Sequence, residues 1–312
     1  MNEVNLNRLA TTSVIAALLA GTAAPASADW RAEIGDSYNI GLLGGENEAD
    51  RLRRYDCLVD LASETLGMDV ELFPASDYAG VMQGLLAGQL HQAGLGASGY
   101  AGIHTQDPDA VEPVLTTINA DGSLGYYAPI YVRADSAFES LEDLEGASLA
   151  YADPNSTSGY LVPRFELAQA GIDDEEFFGR TGFAGGHEQA VVAVLDGQYD
   201  AGVTWASMIG DHEDGYTRGN FRRMVENGLV DMNDIRVIWE SELIPNGPTV
   251  MRQDLPQEAR ERMVELYTTM IDEHPDCYAD IIGGDGDGFA EVSHEDYEGI
   301  VEMRRREIEQ SR

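Results

Sequence analysis

Between residues 38 and 251 the chain alternates short apolar runs with longer stretches whose apolar residues recur every three or four positions. That alternation predicts α/β layers around a mostly parallel sheet. Strands are expected at 38–43, 70–73, 92–95, 127–132, 148–152, 201–205, 236–239 and 249–251, and helices at 49–66, 78–86, 159–170 and 188–195. Gly67 and Gly88 stand where the first two helices should stop, a position that favours glycine because the chain turns left-handed there. From residue 256 onward the pattern reads as helical.

One stretch occurs twice. Leu85-Leu86-Ala87-Gly88-Gln89-Leu90 with Ala93-Gly94-Leu95 returns as Val194-Leu195-Asp196-Gly197-Gln198-Tyr199 with Ala201-Gly202-Val203. Each copy is a helix end, a glycine cap and a strand, and their separation of about one small domain suggests two similar lobes.

The amino terminus follows another rule. Arg8 precedes an apolar run from Val14 to Leu19, and Ala26-Ser27-Ala28 supplies the small residues of a cleavage site, so residues 1–28 read as a signal peptide. The run falls short of the roughly 20 residues that a membrane span needs. The expected product is an exported protein beginning at Asp29.

Charge narrows the function classes. Acidic residues outnumber basic ones by 56 to 19, for a net charge of −37, and all 19 cations are arginine. Without lysine there is no Walker-type phosphate loop, no Schiff base and no Ser-Lys dyad. The net charge argues against nucleic acid and anionic lipid as partners, since both require phosphate neutralisation. With 43% hydrophobic residues the composition is not that of a disordered chain, and the acidic surface points to a salty habitat, where screening tolerates self-repulsion. Cys57 and Cys277 are the only cysteines; one long-range disulfide and two buried thiols are both open readings. The six histidines show no paired-ligand spacing and Asp285-Gly286-Asp287-Gly288 lacks the later ligands of a calcium loop, so no metal and no cofactor are expected.

The segment richest in chemistry is Asp153-Pro154-Asn155-Ser156-Thr157-Ser158-Gly159. A strand ends before it and a helix begins near Gly159. Ser156, Thr157 and Ser158 then fall on the helix's first turn, where unpaired N–H groups and the positive dipole end favour an anion without any cation's help. Helix capping alone is the plainer reading of any one of these hydroxyls. Gly185-Gly186-His187 is a second glycine turn opening a helix, where His187 is placed to donate. Tyr78 starts a helix after Asp77, and Tyr126 enters the strand expected to cross between lobes; either hydroxyl suits the closing of a pocket. No catalytic residue emerges: Ser98 lies in Gly96-Ala97-Ser98-Gly99, which is not a nucleophile elbow, and the excess of carboxylates makes no acid–base pair stand out.

Asp77-Tyr78-Ala79-Gly80, Ala120-Asp121-Gly122-Ser123, Gly125-Tyr126, Asp153 to Gly159, Gly186-His187-Glu188 and Leu243-Ile244-Pro245 occur in an order that resembles the periplasmic phosphonate-binding proteins of phosphate, phosphite and phosphonate ABC importers. The resemblance runs from about residue 38 to 251. It implies a two-lobe periplasmic binding protein of type II, each lobe a mixed sheet flanked by helices, with 29–130 plus 250–312 as lobe 1 and 131–249 as lobe 2. It implies that Ser156, Thr157 and Ser158 hold the phosphorus oxygens with Tyr78, and that Tyr126 and His187 contribute from the cleft walls. Its partners would be an ABC permease and its ATPase, and a monomer is the default for such a trap. Ser207 and Gly247 stand where relatives that take aminoethylphosphonate carry carboxylates, which predicts a small phosphonate, phosphite or phosphate over an aminoalkyl one, other acids such as Asp211 being possible substitutes. A two-lobe receptor for another oxyanion such as sulfonate, and a secreted phosphoester hydrolase, are the alternative readings.

Overall fold

The computed structural model describes Met1 and residues 29–45 and 47–310, so the expected signal peptide lies outside the described residues, Met1 apart. Thirteen strands, β1 (Ser37–Leu42), β2 (Asp69–Pro74), β3 (Gln92–Gly94), β4 (Val111–Asn119), β5 (Gly125–Tyr126), β6 (Pro129–Arg133), β7 (Ser148–Tyr151), β8 (Arg180–Phe183), β9 (Ala201–Val203), β10 (Ile235–Glu240), β11 (Ile244–Pro245), β12 (Pro248–Arg252) and β13 (Gly286–Glu291), form three sheets. One has the order β13-β4-β12-β3-β1-β2, a second β10-β6-β9-β7-β8, and β5 pairs with β11 in a short ribbon between them. The fold is the two-lobe, type II arrangement of mixed sheets flanked by helices.

Local sequence explains most of these elements. Along β1, Tyr38, Ile40 and Leu42 are buried by strand alternation. Helix Glu48–Leu66 starts at Asn47, whose side chain accepts from the Asp50 N–H, and stops at Gly67, which is left-handed with φ 65°. Leu58, Ala62 and Leu66, four apart, bury one face of it. That face packs with Tyr38, Met263 and Met270 into a core behind the first sheet. Cys57 and Cys277 form a disulfide, which joins this helix to helix Pro275–Ile282 and settles the open question of the two sulfurs. A separate cluster of Tyr131, Val191, Phe221 and Met224 backs the second sheet.

One expectation needs correction, and strand β4 goes beyond the expected set. The tail is not helical throughout: β13 interrupts it and pairs with β4. Gly283 and Gly284, both at positive φ, end the preceding helix, and Phe289 then packs its ring between Tyr267 and Tyr278. Strand β4 was unassigned in the sequence because Pro113 sits inside it. The register with β12 shifts there, Thr249 opposing Leu115 while Val250 opposes Pro113, and a bulge is where an interior strand tolerates proline.

Candidate functional site

In both large sheets the central strands run parallel, β1 with β2 and β3, β7 with β8 and β9. Loops at their carboxyl ends face one another across a cleft, and helices begin there. The cavity in that cleft, about 240 Å³, is lined by Tyr78, Tyr126, Ser156, Thr157, Ser158 and His187, so the structure brings together all six residues singled out in the sequence.

After β7, the side chain of Asp153 accepts from the Asn155 N–H at 2.7 Å, which sets the turn. Burial raises the pKa of this carboxyl, while the Asn155 and Tyr78 backbone groups beside it act in the opposite sense. Ser156 is the N-cap, its Oγ accepting from the Gly159 N–H at 3.0 Å. The helical turn therefore starts at Thr157, two residues earlier than expected, and winds as a π-turn over Thr157–Leu161 before helix Val162–Gln169. Such wider turns concentrate at functional sites. The Thr157 and Ser158 N–H groups have no backbone acceptor among the described residues, as the first turn of a helix dictates, and the Ser158 N–H faces the Tyr126 hydroxyl.

The other groups close around this turn. Thr157 Oγ1 accepts at 2.9 Å from the N–H of Ser98, at the start of helix Ala97–Gln106 beneath the first sheet, so the two halves of the cleft are in contact. Tyr126, at the ribbon, places its hydroxyl against the Ser158 and Thr157 side chains; burial raises its pKa and these donors moderate the rise. Tyr78 opens helix Tyr78–Leu86, with Asp77 as cap through a 2.8 Å bond from the Gly80 N–H. His187 is the first residue of helix His187–Leu195 and is 7% exposed, not a solvent-facing loop residue. Its Nε2 lies 3.1 Å from Ser156 Oγ and its Nδ1 3.3 Å from Thr204 Oγ1, so the ring fixes the cap hydroxyl from behind. Gly45 and Gly186 meet backbone to backbone across the cleft: a Cβ on Gly186 would lie 2.4 Å from the Gly45 Cα.

Cations are what the sequence reading missed. Arg51, Arg54, Arg218 and Arg223 line the cavity and, among the described residues, no aspartate or glutamate does, in a chain where acids outnumber bases by 56 to 19. The net charge repels an anion from afar, but the local wall attracts it. Periodicity carries no sign of this, since these arginines come from helices Glu48–Leu66 and Asn220–Glu226 and from the irregular segment before the second, which only the fold sets beside the hydroxyls. Asp211 is exposed and absent from the lining, and Ser207 is buried with its Oγ accepting from the Arg218 N–H at 3.2 Å. Among the described residues no cluster of histidine, cysteine or carboxylate side chains is arranged to hold a metal.

The family of periplasmic substrate-binding proteins of phosphonate ABC transporters matches residues 40–297. The chain belongs to that family. The phosphate-import protein PhnD of Mycolicibacterium smegmatis is 25% identical over 315 residues, covering 94% of each chain. The phosphonates-binding periplasmic protein of Escherichia coli is 27% identical over 271 residues, 86% of this chain and 74% of that one. The crystal structure of a binding-protein component of an ABC phosphonate transporter from Pseudomonas aeruginosa superposes with a TM-score of 0.74 at 25% identity, over 86% of this chain and 87% of that one. Members of the family are substrate-binding proteins, and no described helix here is long and apolar enough to cross a membrane.

Proposed function

We propose that this phosphonate-family receptor captures a small phosphorus oxyanion, a phosphonate, phosphite or phosphate, outside the cytoplasm and hands it to an ABC permease driven by its ATPase, acting as a monomer and without catalysis. The observation that carries the reading is the first turn after β7. Ser156, Thr157 and Ser158 are 1–2% exposed and bring hydroxyls and the N–H groups of a helix's first turn to one point of a cleft that no carboxylate lines among the described residues. A tetrahedral oxyanion has acceptors on all sides and suits such a ring of donors. Tyr78 and Tyr126 would close it from the opposite wall and the ribbon, with His187 holding Ser156 in place. Lobe 1 would comprise 29–130 plus 250–312 and lobe 2 131–249, hinged at the β5–β11 ribbon so that closing completes the Ser98–Thr157 contact. The names of the relatives, a phosphate importer and a phosphonates-binding protein, support the same chemistry. Among the described residues no metal-ligand cluster occurs and no carboxylate lines the cavity, so these residues give a phosphoester hydrolase no support.

The test is calorimetric titration of the chain from Asp29 onward with phosphate, phosphite and methylphosphonate, with sulfate and methanesulfonate as controls. One-to-one heats with at least one phosphorus ligand, and none with the sulfur ones, are expected. Saturable binding of the sulfur anions alone would overturn the assignment.

A further inference from the structure

Arg218 has no role in the hydroxyl cup, and its surroundings are unusual. The residue is 7% exposed, yet among the described residues its side-chain hydrogen bonds go to neutral partners: Nε and Nη2 donate to Asn119 Oδ1 at 3.2 and 2.8 Å, and Nη2 also to Asn246 Oδ1 at 2.7 Å. Nη1 has no partner among the described residues, although the residue lines the cavity. Its guanidinium lies 5.5 Å from the Trp205 ring centre, and the guanidinium of Arg223 lies 5.1 Å from the same ring. Burial first, then the nearby Arg223 charge, lowers the Arg218 pKa to about 10, which leaves it cationic at neutral pH. A buried charge balanced only by dipoles carries an uncompensated desolvation cost, and an arriving anion is what offsets it. Trp205 packs edge-on against Tyr126 at 5.9 Å, and the Tyr126 hydroxyl touches the Ser158 and Thr157 side chains while feeling the Arg218 charge. The cation is thus a short distance from the cup, separated from it by one tyrosine.

Resting on the phosphorus-oxyanion reading, we infer that the cleft has a second anion subsite at Arg218, and that the ligand is a short phosphonate with a second anionic group, such as a carboxylate, one or two carbons from phosphorus. The phosphorus oxygens take the Ser156-Thr157-Ser158 turn; the second anion takes Nη1 of Arg218, with Asn119 and Asn246 fixing the guanidinium plane. The same charge disfavours an ammonium tail at that place.

Methylphosphonate and phosphonoacetate differ by one carboxylate and make the test. By calorimetry, the unaltered protein should bind phosphonoacetate about tenfold or more tightly than methylphosphonate, and aminoethylphosphonate more weakly than either. In Arg218→Gln, which keeps a donor for the asparagines, the ratio between the first two should fall towards one, because phosphonoacetate loses more affinity than methylphosphonate. Equal or tighter binding of methylphosphonate by the unaltered protein would overturn the inference, as would an equal loss of both ligands in the variant, which would put Arg218 on the phosphorus oxygens. If the variant does not fold by circular dichroism, the unaltered protein's ratio decides alone. If phosphate or phosphite binds but neither phosphonate does, this inference fails and the phosphorus-oxyanion reading stands; if none of the four binds, both fail.

Discussion

The two sheets are built on one plan and used differently. Reading outward, β4-β12-β3-β1-β2 of the first matches β10-β6-β9-β7-β8 of the second, with the third and fourth strands parallel and the second antiparallel to the third in each. Even the joint repeated in the sequence is copied: Gly88 and Gly197 both sit at φ 71°, Gly88 N–H bonds Leu85 O as Gly197 N–H bonds Val194 O, and Gln89 and Gln198 bond back to Gly84 and Ala193. Chemistry diverges at the helix starts. In the first half, the helices after β1 and β2 are capped by Asn47 and Asp77, whose own oxygens take the Asp50 and Gly80 N–H groups. In the second half, the corresponding starts carry Ser156 and the side-chain-free Gly186. The carboxylate of Asp77 is itself the anion at its helix start, whereas Gly186 leaves its counterpart open; Asn47 and Ser156 both cap with a neutral oxygen, and Ser156 is set apart by the hydroxyls of Thr157 and Ser158 that follow it. The first half carries the disulfide and the extra strand β13; the second carries the anion-ready turn.

Breaking the structural side of that contrast should give the largest effect. The disulfide closes a loop of 220 residues, and replacing both cysteines by serine should cost about 3–5 kcal/mol. Hydrogen exchange should rise first in helices Glu48–Leu66 and Pro275–Ile282, leaving the second half protected. Uniform loosening of both halves would erase the asymmetry.

The functional side comes next. Ser156→Ala combined with Thr157→Ala should weaken phosphorus-oxyanion binding about a hundredfold or more in calorimetry, since charge-assisted donors are lost from a buried site. The equivalent change in the first half, Asn47→Ala, should lower stability by about 1 kcal/mol as a lost cap while shifting affinity less than about threefold. Comparable affinity losses in the two proteins would mean that both helix starts bind the ligand.

The finest test uses the copied joint. Gly88→Ala and Gly197→Ala should each cost about 1–2 kcal/mol in thermal unfolding because both glycines are left-handed. Gly88→Ala should be the worse, because its Cβ would lie 2.6 Å from Arg252 Nη1, which also donates to the Gly88 carbonyl, against 3.0 Å from Arg133 Nη1 at Gly197.

Much of the architecture was legible residue by residue. Tyr78–Leu86 was placed to the residue and most of the other expected elements to within one or two, because their apolar spacing and glycine stops are local signals. The edges of legibility are equally physical. β4 was hidden by a proline that only a bulge against β12 accommodates, and β8 by an Arg-Thr-Gly-Phe composition with little buried surface. The start of the helix after β7 was misplaced because a π-turn has no sequence period of its own.

By itself the sequence determined where strands and helices form, that the lobes repeat, and which helix start bears three hydroxyls without a carboxylate cap, because turns, caps and periodicity are written over neighbouring residues. Only the tertiary structure decided that Cys57 meets Cys277, that His187 backs Ser156 from 31 residues away, and that Arg218 faces the same cavity between Asn119 and Asn246. Those are contacts between distant segments, set by how two sheets and their ribbon pack, and a charge's effect depends on the dielectric and partners it finds there, which no local pattern encodes.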